Sequence, residues 1–155
     1  NYRMSEVQAA LGVAQLSRVR EILSRRKSNF ERLKAFLSSI DDIYVLDSDT
    51  PDRENSHYCF NMIFRGRLRD KRDEILIKLK ERGLGTSIYY PHPVPRMLYY
   101  REKYGYDASS FPVAESLSDC SLALPVAGHV SMEDIDYMAQ SIRRSVDEVV
   151  AEEAA

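Results

Sequence analysis

Apolar residues recur at steps of mostly three and four from the start of the chain. Val7, Ala10, Leu11, Ala14, Val19, Ile22, Leu23, Phe30, Leu33, Phe36, Leu37 and Ile40 trace one stripe at helix period. Ser5 and Gln8 form an S-x-x-Q capping box, which starts the helix at about Glu6. The stripe predicts one long element to Ile40, with a bend near Ser28 and a solvated basic face at Arg25, Arg26 and Lys27. Helices in small domains average about 10–14 residues. The first half of this one is therefore expected to pack on something outside the chain.

The pattern then changes period. Ile43–Leu46 predicts a short strand, and the polar run 47–56 a loop. HYCFNMIF, residues 57–64, is rich in aromatic and branched side chains and predicts a central strand ended by Gly66. Ile75, Leu76 and Leu79 mark a helix over 70–82, with Gly83 just beyond its end. GTSIYY, 85–90, predicts a strand that runs into PHPVP, where three prolines in five residues forbid regular pairing. A tyrosine-rich helix over 96–104 follows, then a helix capped by Ser110 with Pro112 in its first turn. Ser121–Leu124 predicts a strand stopped by Pro125. Ser131 and Asp134 cap a last helix on Ile135, Met138, Ile142, Val146 and Val149. The order α-β-β-α-β-α-α-β-α, with few and short strands, predicts an α+β fold: a small, mostly antiparallel sheet with helices packed against it. No repeat or linker divides the chain. It reads as one domain, a helical extension over 1–40 and an α+β body over 41–155.

Composition narrows the classes. The chain has 155 residues, 44% hydrophobic and 30% charged, with a formal net charge of −2. That balance supplies no electrostatic drive toward nucleic acid or an acidic membrane, and no apolar run approaches the roughly 20 residues of a membrane span. Cys59 and Cys120 lie in apolar segments and read as buried free thiols, which fits a reducing, cytoplasmic setting. His57, His92 and His129 are far apart without cysteine or carboxylate partners at ligand spacing, so no metal site is expected. The glycines of GLGT, 83–86, precede a strand rather than a helix, so they read as a cap and a turn, not a phosphate cradle.

Two constellations retain chemistry. Asn1, Tyr2 and Arg3 precede a helix N-terminus, whose free N–H groups and dipole favour an anion. They are either an anion site or a frayed terminus. In TSIYYPHPVPRMLYY, residues 86–100, Tyr89, Tyr90 and His92 stand on a proline-stiffened loop followed by Arg96. Phenols and imidazole stack on rings and bond sugar hydroxyls, and Arg96 suits a phosphate or carboxylate. The alternative is an aromatic mini-core.

Four segments resemble one family in order and spacing: NYRMSEVQAALGVAQL, RDEILIKLKERGLGTSIYYPHPVP, FPVAESLSDCSLALPV and SMEDIDYMAQSIR. They are similar to the C-terminal part of the DegT/DnrJ/StrS aminotransferases, sugar aminotransferases that use pyridoxal phosphate. The resemblance implies the small C-terminal domain of the aspartate aminotransferase (type I) fold. It implies a parent enzyme that moves an amino group from an amino acid such as glutamate to a keto-sugar nucleotide. In the family the lysine that carries the cofactor lies in a preceding large domain, which this chain lacks. No catalytic residue is therefore expected here, and the chain alone should be inactive and should not bind pyridoxal phosphate. The family pattern places Asn1 at the cofactor phosphate of the partner subunit in a homodimer with shared active sites, and Arg3 where it faces that phosphate or the substrate diphosphate. It places Tyr89, Tyr90, His92 and Arg96 at the nucleotide-sugar substrate, although many members carry His at the position of Tyr89. A regulatory or sugar-nucleotide-binding module without catalysis is the alternative.

Overall fold

A computed structural model of the protein describes residues 3–47, 49–107 and 109–153. The first helix, α1 (Glu6–Leu16), opens on the expected capping box: the Gln8 amide N–H donates to Ser5 Oγ, and the Ser5 N–H donates to Gln8 Oε1. The long element is not continuous. It breaks at Ser17, whose hydroxyl donates to the Ala14 carbonyl at 2.8 Å and competes with the helix ladder. The second helix, α2 (Val19–Leu37), then runs unbroken through Ser28, where the bend was expected. Asn29 explains why: it is buried and anchored to the body by its side chain.

The sheet has three strands, β1 (Ile43–Val45), β2 (Phe60–Phe64) and β3 (Ser121–Leu124), in the order β1-β2-β3, both pairings antiparallel. Ile43 faces Phe64 and Met62 faces Leu122, so β2 is central as its residue types predict. Helices α3 (Arg72–Glu81), α4 (Leu98–Tyr104), α5 (Pro112–Cys120) and α6 (Met132–Glu153) complete the fold. Helix α6 packs against both α2 and α3. Phe30, Leu33 and Leu37 of α2 meet Phe60, Met62 and Phe64 of the sheet and Ile135, Met138 and Ile142 of α6 in one core. Each such fully buried side chain stabilises the fold by roughly 1.5–3 kcal/mol. Gly66 closes β2 at φ +57°, where a side chain would also strike Asp42.

Two local expectations are corrected. GTSIYY is not a strand: it makes a single antiparallel bridge, Ser87 with Ala123. The same register sets Gly85 against Pro125, which has no N–H to continue the ladder. On the other side β3 begins at Ser121, directly after α5. Helix α5 takes Phe111 rather than Ser110 at its cap position, with Pro112 at N1. Helix α1 buries none of its side chains, and Met4, Val7, Leu11, Val13 and Leu16 are all exposed.

Candidate functional site

The segment after Gly83 alternates strictly. Leu84, Thr86 and Ile88 are half-buried, whereas Gly85, Ser87 and Tyr89 are exposed. Leu84 and Ile88 pack on the core, so Tyr89 is delivered to the opposite, open side. The Tyr89 and Tyr90 rings lie 5.8 Å apart at 57°, and the peptide bond between them is cis. Pro93 is buried and holds the loop down, and Val94–Arg96 forms one 3-10 turn. Tyr89, Tyr90 and His92 line one cleft of about 720 Å³, walled by Val94, Met97 and Leu117.

Arg96 does not line that cleft. Its Nη1 and Nη2 donate to the two carboxylate oxygens of Asp119 at 2.7 and 2.9 Å, and Glu115 lies 3.5 Å away. The fork ties the proline loop to α5 and holds the Asp119 carboxyl below the usual carboxylate range. The Arg96 hydrogen bond is the main cause, with Arg96, Arg72 and His92 adding favourable charge. So the structure brings three of the four predicted substrate residues together and commits the fourth to an internal ion pair.

The tyrosine run divides similarly. Tyr100, Tyr104, Tyr106 and Phe111 form a chain of ring contacts at 5.2–6.1 Å that joins α4 to the start of α5. Those rings are structural, and only Tyr89 and Tyr90 of the cluster reach the cleft.

A second cleft, about 360 Å³, opens on the other side of Tyr89. Arg26, Tyr58, Cys59, Thr86 and the chain after β3 line it. Its floor depends on Asn29, whose Nδ2 donates to the carbonyls of Val126, Ala127 and Val130 at 3.4, 3.2 and 3.1 Å. Nothing in the sequence marks Asn29, because its partners lie about 100 positions away. Arg26 is not part of a solvated face: it is half-buried, its Nε is buried, and its guanidinium carbon lies 5.8 Å from the Tyr58 ring centroid. Cys120 is buried as expected, but Cys59 is only half-buried and faces this cleft.

The expectation that the histidines lack carboxylate neighbours fails at His57. Its buried Nε2 lies 3.9 Å from Asp49, and donor atoms of Asp47, Asp49 and His57 fall within 4.8 Å of one another. Lys34 and Lys27 already neutralise Asp47 and Asp49. Two ammonium groups stand where a cation would need the carboxylates, so the cluster serves to tie the 47–57 loop to α2. Arg3 is exposed two residues ahead of the Ser5 cap; Asn1 lies outside the described residues.

Comparison with known proteins gives these clefts a context. The sequence pattern of the DegT/DnrJ/EryC1/StrS aminotransferase family matches residues 1–143. The spore coat polysaccharide biosynthesis protein SpsC of Bacillus subtilis is 28% identical over 141 residues, 90% of this chain and 36% of SpsC. GDP-perosamine synthase of Escherichia coli O157:H7 is 27% identical over 142 residues, 92% of this chain and 36% of that protein. The PMP form of Spr1654 from Streptococcus pneumoniae superposes with a TM-score of 0.88 at 24% identity, over 99% of this chain and 38% of that one. This last likeness establishes the shared fold. The chain thus spans less than two fifths of the length of these relatives. Among the described residues no helix is long and apolar enough to cross a membrane. On the match across residues 1–143, the chain belongs to the DegT/DnrJ/EryC1/StrS aminotransferase family.

Proposed function

We propose that this chain is the small C-terminal domain of a sugar aminotransferase, and that it forms a substrate wall rather than the catalytic centre. The parent would transfer an amino group from an amino acid such as glutamate to a keto-sugar nucleotide. The observation that carries this reading is the Tyr89–Tyr90–His92 cleft, within a chain matched to an aminotransferase family over 143 residues. Its volume suits a small-molecule ligand. Two phenols and an imidazole on a loop pinned by Arg96 and Asp119 offer stacking faces and hydroxyl partners, with little ordering cost on binding. Arg96 serves as a positioning residue that holds this wall.

Pyridoxal phosphate, bound in the parent, supplies an electron sink for the transfer. The lysines described in this chain do not fit its covalent attachment. Lys27, Lys34, Lys71 and Lys78 are each ion-paired with a carboxylate. Hydrogen bonds donated to Asp47, Glu74 and Glu152 hold Lys34, Lys71 and Lys78 above the usual lysine range, whereas attachment requires a neutral amine. Lys103 donates to the Tyr99 hydroxyl, and Lys80 is exposed on α3. Arg3, with Asn1, is proposed to contact the cofactor phosphate across a homodimer interface, and no step of the chemistry is assigned to this chain's own lysines. The uncovered side chains of α1 support a partner surface in the longer protein.

The test compares two proteins. The product of the complete reading frame, with pyridoxal phosphate, glutamate and a keto-sugar nucleotide, is expected to release 2-oxoglutarate, and the 155-residue chain alone is expected to release none. Silence from the complete protein with every available keto-sugar nucleotide would overturn the aminotransferase reading. Activity of the chain alone would overturn its assignment as a non-catalytic wall.

A further inference from the structure

Four arginines are half-buried: Arg26, Arg72, Arg82 and Arg96. Three of them face a carboxylate, in the pairs Arg72–Asp73, Arg82–Glu148 and Arg96–Asp119. Among the described residues Arg26 has no carboxylate partner, and its buried Nε has no hydrogen-bond acceptor. A guanidinium cannot shed its proton to escape this cost. The cleft around it contains no acidic side chain. Its thiol offers no negative charge either, because burial pushes Cys59 above the usual cysteine range. Thr86 contributes a second unanswered group, since its buried Oγ1 also lacks a partner. One fixed positive charge, one buried hydroxyl without a partner and the Tyr58 and Tyr89 rings therefore line about 360 Å³ without an internal anion.

The geometry points to a binding site for a small carboxylate in the cleft between α2, the 85–89 segment and the chain after β3, with Arg26 as its anchor and Thr86 Oγ1 as its hydroxyl donor. A planar carboxylate matches the guanidinium fork and its single charge. A phosphate dianion would bring two charges to one cation. Asn29 is the positioning residue, because it fixes the 125–130 chain that forms the floor. The site stands on this cleft alone, whether or not the parent is a transaminase.

The test follows the Arg26 Nε–H resonance of the ¹⁵N-labelled chain during titration with sodium acetate, L-glutamate and sodium phosphate at constant ionic strength. Exposed Arg20 and Arg101 serve as internal controls. Saturable movement of Arg26 alone, at millimolar acetate and glutamate and with at least tenfold weaker response to phosphate, is expected. Arg26→Gln should abolish the binding. Arg26→Lys, which keeps the charge without the fork, should weaken it about tenfold. Thr86→Val should weaken it roughly fivefold through one lost hydrogen bond. Unsaturable or equal movement of all three arginines would overturn the site. So would equal affinity for acetate in wild type and Arg26→Lys, since the charge alone would then suffice. A phosphate response stronger than acetate would overturn the carboxylate assignment. Far-UV circular dichroism of each variant separates lost binding from lost fold, and Arg26→Lys together with Thr86→Val decides the question if Arg26→Gln unfolds.

Discussion

Tyr89 stands between two clefts whose arginines are in opposite states. On one side Arg96 is saturated: both terminal nitrogens bond Asp119, and Glu115 is close by. On the other side Arg26 meets a tyrosine ring and has no carboxylate among the described residues. Both side chains are half-buried, so the difference is not one of solvent access. A cation whose charge is answered internally builds structure. One left unanswered at similar burial retains its electrostatic reach for something that arrives. Arginine content alone does not distinguish the two roles; the presence of a facing carboxylate does.

The contrast breaks most severely at Asn29. Asn29→Ala would strand one buried and two half-buried carbonyls of the chain after β3, an effect of about 2 kcal/mol after the better helix propensity of alanine is counted. Chemical denaturation should read that loss. The same variant should reduce the acetate response of Arg26 while leaving Arg96 on Asp119. A variant as stable as wild type would mean that water replaces these bonds, and that Asn29 does not position the floor.

Asp119→Asn addresses the opposite cleft. It should free the proline loop, speeding amide exchange at Arg96 and Met97 several-fold with little change in melting temperature, because the pair is partly exposed. Adding Glu115→Gln, which removes the remaining carboxylate 3.5 Å from Arg96, creates a second half-buried arginine without a carboxylate partner. If the lesson of the two clefts is right, Arg96 in this double variant should begin to respond to acetate, whereas in wild type it does not. No response from Arg96 would show that pairing alone does not separate the two roles.

Cys59 gives a smaller test of the open side. Burial pushes its thiol up, so at neutral pH it should alkylate more slowly than a free cysteine in solution, by several-fold. Reaction at the rate of an unhindered thiol would show that the cleft is more polar than its lining residues imply.

Much of the fold was legible because local signals and burial agreed. The S-x-x-Q and S-x-x-D caps, the aromatic β2 and the Ser121–Leu124 strand before Pro125 each combine a local chemical rule with a fitting apolar pattern. Failures came where distance in space outweighed spacing in sequence. Ser28 looked like a bend, but neighbouring Asn29 is anchored to carbonyls about 100 positions away, and Ser17 broke the helix instead. GTSIYY had the composition of a strand and lost it because its register met Pro125. At the clefts, residue type drew attention to Tyr89, Tyr90 and His92, which the fold sets exposed along one cleft. It could not identify Arg96 as already paired or Arg26 as unpaired, because both facts depend on which carboxylates the fold brings near.

The smallest expected effect is the pH dependence of the saturated side, and its sign is opposite to that of a histidine switch. Asp119 is held below the usual aspartate range by Arg96, so the folded form prefers the ionised carboxylate. The stabilisation is fully present above the ordinary aspartate pKa and is lost only as pH falls through the depressed folded value. Between pH 7 and 5 the loop should stay closed. Arg72, His92 and Glu115 are the other charged or titratable groups beside this pair. Release should come in acid, below the range of an unperturbed aspartate, and Asp119→Asn should abolish that step. The Asp119 carboxyl ¹³C shift read against pH gives the midpoint directly. A midpoint in the ordinary aspartate range would mean that Arg96 holds the carboxylate no more firmly than solvent does, and the two arginines would then no longer differ in the way their geometry indicates.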